Sequence, residues 1–292
     1  MSSINLVQPG SACLLVRDTD DRTQSSSDSS LSAKIGRMVT HLFSPTTSGT
    51  ANPSNNAHAT RFARLSTVES DGAEKMAEKV AEYEQLTTYL DRAIATGNVE
   101  QALLKSVGKV TAQGIGGLTQ KDGKQLKKYL RSLAACGQGA EAATQVKDML
   151  DVLIFQKEKL VIRNSAKICP LIVKLKHLHT LDLTDNHRKK LSKKIWKLTH
   201  LHSLILTNNE IKELPGEIKT LRHLENLDVS ICNQLTKLPR EVGELPELYC
   251  LDVSDCPRLE SIGTGAFSDL ETINLEDSPR VRIPASLRAR ER

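Results

Sequence analysis

The sequence predicts an α/β solenoid with a parallel β-sheet on its concave face, preceded by a small all-α helical bundle and a disordered N-terminal leader. Three observations predict this class: a motif that returns every 23 or 24 residues, apolar residues at helical spacing before it, and a Ser-rich start with few apolar residues. We place the leader at 1–68, the bundle at 70–157 and about five to six repeats at 158–292. A chain of 292 residues has room for about two cores.

The repeated frame reads L-x-x-L-x-x-L-x-L/V-x-x-N/C and begins at Leu175, Leu198, Leu221 and Leu245, with a fifth copy from Phe267. This is the pattern of a leucine-rich repeat. One such repeat cannot bury its own apolar edge and is stable only when stacked on its neighbours. The chain is therefore expected to form an α/β leucine-rich-repeat solenoid, an architecture that binds other proteins.

Each position of the frame has an expected role. Apolar pairs such as Leu204 and Leu206 alternate with outward side chains, as a half-buried strand requires, and belong to the core. One polar or thiol side chain after each strand is expected to hydrogen-bond the backbone of the turn. These turn residues are Asn186, Asn209, Cys232 and Cys256.

Apolar residues at steps of three and four predict four helices between Ser70 and Gln156, separated by glycines at 97, 114–117 and 137. Short glycine-bearing connections favour antiparallel neighbours and hence a bundle. Leu160 and Ile162 look like a degenerate first repeat whose apolar edge needs a cap. Part of the bundle is expected to supply that cap.

The leader, residues 1–68, is dominated by Ser, Thr, Asn and Pro, which predicts disorder. No run approaches the roughly 18 apolar residues of a membrane span. The N-terminus also lacks the basic region followed by an apolar core that is typical of a secretory signal. Six cysteines without paired spacing are expected to be reduced thiols. A net charge of +5 with interspersed signs and 3% aromatic residues argue against nucleic-acid binding.

The side chains between the core positions of the strands are expected to face the concave side, where Asp recurs in register. An acidic face of this kind favours a protein partner with a basic surface over the simpler interpretation of a solvated, charged surface. The predicted partner-binding residues are Asp182, Thr184, Asp185, Ile205, Thr207, Asp228, Ser230, Asp252, Ser254, Asp255, Asn274 and Glu276.

Positive charge is concentrated on the return segment of the first repeat. The simplest interpretation is a solvated convex face. The more specific alternatives are nuclear import and contact with an anionic membrane surface. This basic segment contains Arg188, Lys189, Lys190, Lys193, Lys194 and Lys197.

No enzymatic motif is expected. The sequence has no Ser/His/Asp arrangement, phosphate loop or metal-ligand spacing, so neither a cofactor, a metal ion nor a small-molecule substrate is predicted. Histidines such as His179 and His202 recur because they occupy equivalent repeat positions. A Cys-x-Asp match at Cys250 and Asp252 lies within a repeat strand and is interpreted as chance.

The repeats, for example LHSLILTNNEIKELPGEIKTL at 201–221 and the Cys variants LDVSICNQLTKLP and LDVSDCPRLESIG, resemble two groups of proteins. One group is the plant-type intracellular leucine-rich-repeat proteins. The other is the type III secreted effectors of plant-pathogenic bacteria, which mimic that repeat. The order of a Ser-rich leader, a small helical region and a short repeat array favours the effectors.

The resemblance implies a non-enzymatic virulence effector, secreted from a bacterium into the host cell, where it binds a host protein in the cytoplasm or the nucleus. One alternative is an endogenous cytoplasmic scaffold or signalling adaptor with the same repeats. Another is an effector related to ubiquitin ligases, with activity in the helical segment.

Overall fold

The computed structural model describes residues 5–6, 70–165 and 167–288 and contains two compact units. Among the described residues, the helical unit runs from Ser70 to Lys147, and the repeat unit holds residues 5–6 and those from Asp148 onward. The predicted fold class is confirmed: a helical region precedes a parallel sheet with the spacing of the repeats.

Four helices form where the spacing predicts them. Helix α1 ends at Gly97, whose φ of 69° is the left-handed conformation that closes a helix. Helix α3 begins with a capping box, in which Thr119 and Asp122 satisfy each other's backbone N–H groups. The bounds are α1 (Ser70–Thr96), α2 (Gln101–Ala112), α3 (Gln120–Ala134) and α4 (Gly139–Phe155).

The last turns of α4 belong to the repeat unit, because the division between the units falls after Lys147. There Val152 and Ile154 are each 2% exposed, and the Val152 carbonyl lies 3.0 Å from Nε2 of His177 in the first repeat. Leu160 and Ile162, at the open end of the solenoid, are buried as well. The last turns of α4 therefore contact the first repeat, and the capping role of the bundle stays a prediction.

The repeat unit is built on one parallel sheet. Its six repeat strands are β2 (Lys159–Val161), β3 (Thr180–Asp182), β4 (Ser203–Ile205), β5 (Asn226–Asp228), β6 (Cys250–Asp252) and β7 (Thr272–Asn274), each paired in register with the next. Leu181, Leu204 and Leu251 at the strand centres are fully buried. The paired apolar positions are therefore core, as predicted, except that Leu275 in the last pair is only half-buried.

The return segments form short 3-10 turns at Pro170–Lys174, Ile195–Lys197, Gly216–Thr220 and Arg240–Glu244, and a last helix, α5, spans Ala285–Arg288. Before the later return segments, single parallel bridges join Glu213 to Lys237, Lys237 to Ser261, and Ser261 to Arg282. Hydrogen bonds thus link successive repeats on both sides of the core.

The free edge of β7 carries a further two-residue strand, β1 (Asn5–Leu6), which pairs parallel with Thr272 and Ile273. This strand was not anticipated, because the composition of residues 1–68 predicts no regular structure there. The remainder of that leader lies outside the described residues.

Across the described ranges, every helix is too short or too polar to cross a lipid bilayer.

Candidate functional site

The candidate site is the concave face, meaning the outward side chains of strands β2–β7 and of the residues just after them. The strand register places the central row in the order expected from the sequence, with each residue opposite its equivalent in the next repeat. The row consists of Val161, Asp182, Ile205, Asp228, Asp252 and Asn274. Adjacent strands lie roughly 4.8 Å apart, so these side chains form one continuous strip.

The aspartates of this strip bond to their own strands. Asp228 Oδ1 accepts the backbone N–H of Ser230 at 2.9 Å and its hydroxyl at 2.6 Å. Asp182 receives the same two bonds from Thr184, and Asp252 receives them from Ser254. The short Asp-x-Ser/Thr sequence therefore closes each strand with a local side-chain turn.

Further hydrogen bonds join the aspartates across repeats. Thr207 donates its hydroxyl to Oδ2 of Asp228 at 3.0 Å, and Asn274 donates Nδ2 to Oδ2 of Asp252 at 3.1 Å. Asp182 and Asp252 are only 8% and 9% exposed. The strip is therefore an internal hydrogen-bond network as well as a surface.

Burial raises the pKa of Asp228 above its usual 3.8, and this effect outweighs the opposing hydrogen bonds from Ser230 and Thr207. The interpretation of the acidic row as fully solvated is therefore wrong, because its carboxylates are partly or wholly withdrawn from water. Their charge still reaches the surface, but without the mobility of exposed side chains.

The remaining predicted residues differ in exposure. Thr184, Asp185, Ile205 and Thr207 are half-buried, and Ser230 and Ser254 are buried beneath their hydrogen bonds. Asp255 and Glu276 are exposed. The solvent-facing acidity is thus concentrated at the rim where the strands end, rather than along the centre of the strip.

Below the rim, the turn residues form the predicted ladder of backbone hydrogen bonds. Asn209 donates Nδ2 to the carbonyls of Leu183 and Leu206 at 2.9 and 2.8 Å, and its Oδ1 accepts the N–H of Arg188. Asn186 makes the equivalent set of bonds one repeat earlier. This ladder supports the concave face and is structural.

Cysteines replace asparagine in the next two turns. The Cys232 thiol donates to the Leu206 carbonyl at 3.5 Å, and the Cys256 thiol donates to the Val229 carbonyl at 3.2 Å. Burial raises the pKa of Cys232 to about 11 and that of Cys256 to about 12, so both are protonated and unreactive in the folded chain. The structural role predicted for them is confirmed.

Two expectations from the sequence are wrong. Cys250 is disulfide-bonded, so the cysteines are not all reduced thiols. Arg188 is only 6% exposed, because its backbone is held in the turn by Asn209, and it does not join the exposed lysines of the basic segment. Lys189, Lys190 and Lys193 of that segment are exposed.

The sequence analysis missed Ile231, which is 40% exposed at the rim with a φ of 57°. The signal was present in the repeat, since the equivalent position is Asn or Asp in every other turn from Asn164 to Asp277. Val161 is the other exposed large apolar residue in the described part of the chain, at 37%. It lies in the terminal strand of the strip.

Histidines form a row beside the sheet. The rings of His179 and His202 meet edge to face with centroids 4.6 Å apart, and those of His202 and His223 stack at 6.1 Å. Within the described ranges, no three His, Cys, Asp or Glu side chains converge as a metal ion would require. Packing between equivalent positions joins His179 to His202 and His200 to His223, and the contact of His202 with His223 joins the two sets.

Part of the chain is similar to known proteins. Residues 158–286 match the family model of a leucine-rich repeat region. No curated protein matches the chain. Similar solved structures include a leucine-rich-repeat protein of Leptospira interrogans, with 33% identity over 37% of this chain and 28% of that one and a TM-score of 0.34.

The leucine-rich-repeat domain of the type III effector XopL is 18% identical over 66% of this chain and 82% of that domain, with a TM-score of 0.36. The plant peptide hormone receptor RGFR1, solved in complex with RGF2, is 24% identical over 42% of this chain and 21% of that one, also with a TM-score of 0.36. The chain thus spans less than a third of the length of the Leptospira protein and of the plant receptor. Residues 158–286 thus match the model of a leucine-rich repeat region, and the strands of this segment pair in register from one repeat to the next.

Proposed function

We propose that this chain is a non-enzymatic binding protein that engages another protein through the concave face. The observation that carries the proposal is the continuous strip of in-register side chains across six parallel strands. Internal hydrogen bonds hold the strip in place before any partner arrives, and such preorganisation reduces the entropy lost on binding.

The acidity of this face supports a partner with a basic surface. Asp255, Glu276 and Asp277 are exposed at the rim, and none of the three forms an ion pair with a described residue. A partner with a basic surface would be attracted to this rim over a distance of about 8–10 Å at physiological salt.

We further propose that the partner is a host protein and that the chain is a type III secreted effector of a plant-pathogenic bacterium. This step rests on the resemblance of the repeats and on the order of leader, helices and array. It assigns the Ser-rich leader to export and the repeat unit to recognition in the host cell.

Affinity capture from plant extract with the full chain as bait tests the binding proposal. Ile205→Arg places a cation in the half-buried centre of the strip, and we expect it to lose the captured protein. Thr199→Arg introduces the same side chain at an exposed position outside the concave face and is the matched control. Equal capture by both variants would place binding elsewhere on the molecule.

Export has a separate test. A fusion of residues 1–68 to a reporter should leave a bacterium that carries a type III apparatus, while the same reporter fused to 70–292 should remain inside. The reverse distribution would exclude the assignment of the leader to secretion.

A further inference from the structure

Six turns of the repeat unit use one residue in the left-handed conformation. Five of the positions are occupied by Asn or Asp, with φ between 50° and 58°, namely Asn164, Asp185, Asn208, Asp255 and Asp277. Asn and Asp tolerate this conformation because their short polar side chains bond locally. The sixth position is Ile231, with a φ of 57°.

The repeat architecture imposes this conformation on Ile231. Its backbone N–H donates to the carbonyl of Ser254 at 3.0 Å. Asn208 donates in the same way to Ser230, and Asp255 donates to Glu276. The backbone bond is therefore common to the turns, and only the side chain differs. Isoleucine is poorly suited to the site, since a β-branched residue at positive φ is a steric outlier.

Burial does not compensate this strain. Phe267 also has a positive φ, of 51°, but it is 2% exposed, and its ring packs so closely on Gly243 that a Cβ there would collide with it. Ile231 is 40% exposed. It is the only β-branched residue at positive φ in the described ranges. The chain thus keeps an apolar side chain in water at a position where a polar one would fit better.

Residues held in strained backbone conformations are concentrated at functional sites. Here the repeat fixes the backbone of residue 231 but does not require isoleucine there, since five equivalent turns have Asn or Asp. We infer that Ile231 is the apolar contact of the partner-binding rim, and that it receives an aliphatic or aromatic side chain flanked by Lys or Arg on a protein partner. The inference rests on the proposed function and names the chemistry of the partner. Asp255, one repeat away, and Asp277, two repeats away, are exposed carboxylates on the same rim and would face the flanking cations.

The first test is independent of any partner. Ile231→Asn should raise the midpoint of thermal unfolding of the full chain by roughly 2–4 °C, because Asn adopts the left-handed conformation with less strain. Asn208→Ile, the reverse change one repeat earlier, should lower it. A midpoint that is unchanged or lower in Ile231→Asn would overturn the inference, since Ile231 would then be favourable to the fold itself.

The second test uses two fluorescent peptides, one of lysines and glycines with a central leucine and one with serine in place of that leucine. Wild type should bind the leucine peptide about tenfold more tightly in an anisotropy titration, because one buried leucine contributes on this scale. Ile231→Asn should remove the preference and leave binding of the serine peptide unchanged. Equal affinities in wild type, or a preference that persists in Ile231→Asn, would overturn the inference.

Two further variants separate this inference from the proposed function. Asp255→Asn combined with Asp277→Asn should weaken both peptides alike and keep the preference for leucine. Ile205→Arg, the variant used in the capture experiment, tests the centre of the concave face. If the preference depends on Ile231 but capture of the plant protein survives Ile205→Arg, the concave-face proposal fails and the rim contact stands. If Ile205→Arg abolishes capture and Ile231→Asn leaves the preference intact, the rim contact fails and the concave-face proposal stands.

Discussion

The two halves of the repeat array satisfy the same turn in different ways. The repeats that begin at Leu175 and Leu198 combine a second strand leucine with threonine and asparagine, as in Leu206, Thr207 and Asn209. Those that begin at Leu221 and Leu245 combine valine with serine and cysteine, as in Val229, Ser230 and Cys232. Each of the two asparagines donates to three carbonyls, whereas each thiol has one carbonyl within bonding distance.

The replacement of asparagine by cysteine shows that the same turn geometry can be stabilised either by several side-chain hydrogen bonds or mainly by apolar packing. The left-handed residue and its hydrogen bond to the next repeat are the same in both halves, at Asn208 and at Ile231. A buried cysteine behaves mainly as a small apolar side chain with a weak donor. The first half is therefore expected to depend on hydrogen bonds, and the second on packing.

The largest expected effect is in the first half. Asn209→Ala removes one of the two side-chain donors to each of the Leu183 and Leu206 carbonyls and leaves the N–H of Arg188 without its partner. It should lower the free energy of unfolding by about 3–5 kcal/mol. Cys232→Ala, its match one repeat later, should lower it by about 1–2 kcal/mol. Denaturant unfolding of the full chain measures both, and equal losses would remove the distinction between the halves.

Truncation of the core residues should show a smaller difference between the two halves. Leu206→Ala should cost roughly 2–5 kcal/mol through lost burial and the cavity that remains. Val229→Ala removes one carbon fewer and should cost about 1–3 kcal/mol in the same unfolding experiment. A larger loss at Val229 would mean that the second half is the more tightly packed of the two.

An exchange of the turn residues sharpens the comparison further. Cys232→Asn should stay within about 1 kcal/mol of wild type, because the Leu206 carbonyl is already positioned to accept its amide. Asn209→Cys should cost more, about 1–2 kcal/mol, since it removes donors that are in use. Calorimetric midpoints of the two variants test this asymmetry. A severe loss in Cys232→Asn would show that the second half excludes a polar turn residue.

The smallest effect concerns Asp228 and depends on pH. Its raised pKa means that the folded chain holds this proton more tightly than the unfolded chain. The contribution of Asp228 to stability is therefore greatest below the usual pKa of 3.8 and is lost as the pH rises through the higher folded value. Asp228→Asn keeps an oxygen that can accept the N–H of Ser230, just as Asn274 accepts the N–H of Glu276. Because asparagine does not ionise, the variant should not lose stability over this pH range. Its gain at pH 7 should stay within about 0.5–1 kcal/mol, measured as unfolding free energy against pH.

The sequence was sufficient for the features that recur in every repeat. Strand positions, the register of the central row and the turn ladder all follow from a fixed frame, because equivalent residues must stack. The repeated frame does not predict how deeply each side chain is buried. Asp182 and Asp252 read as solvated charges, and only the structure shows that Thr184 and Ser254 hold them in a local turn.

The conformation of Ile231 shows a different limit. Its residue type differs visibly from the Asn and Asp at equivalent positions, but the sequence does not give the backbone conformation or the exposure of that residue. It becomes informative once the φ of 57° and the exposure of 40% are known together. Arg188 was misplaced for the same reason, since its burial depends on the fold of the neighbouring turn.

The buried thiols can also be used to measure local opening of the repeats. Cys136 is exposed and should alkylate at once, whereas Cys232 and Cys256 can react only when their repeats separate transiently. Their labelling rates, relative to that of Cys136, convert directly into the fraction of time that each turn is open. A common rate for Cys232 and Cys256 would mean that the end of the array opens as one cooperative unit, and two rates would mean that it frays repeat by repeat.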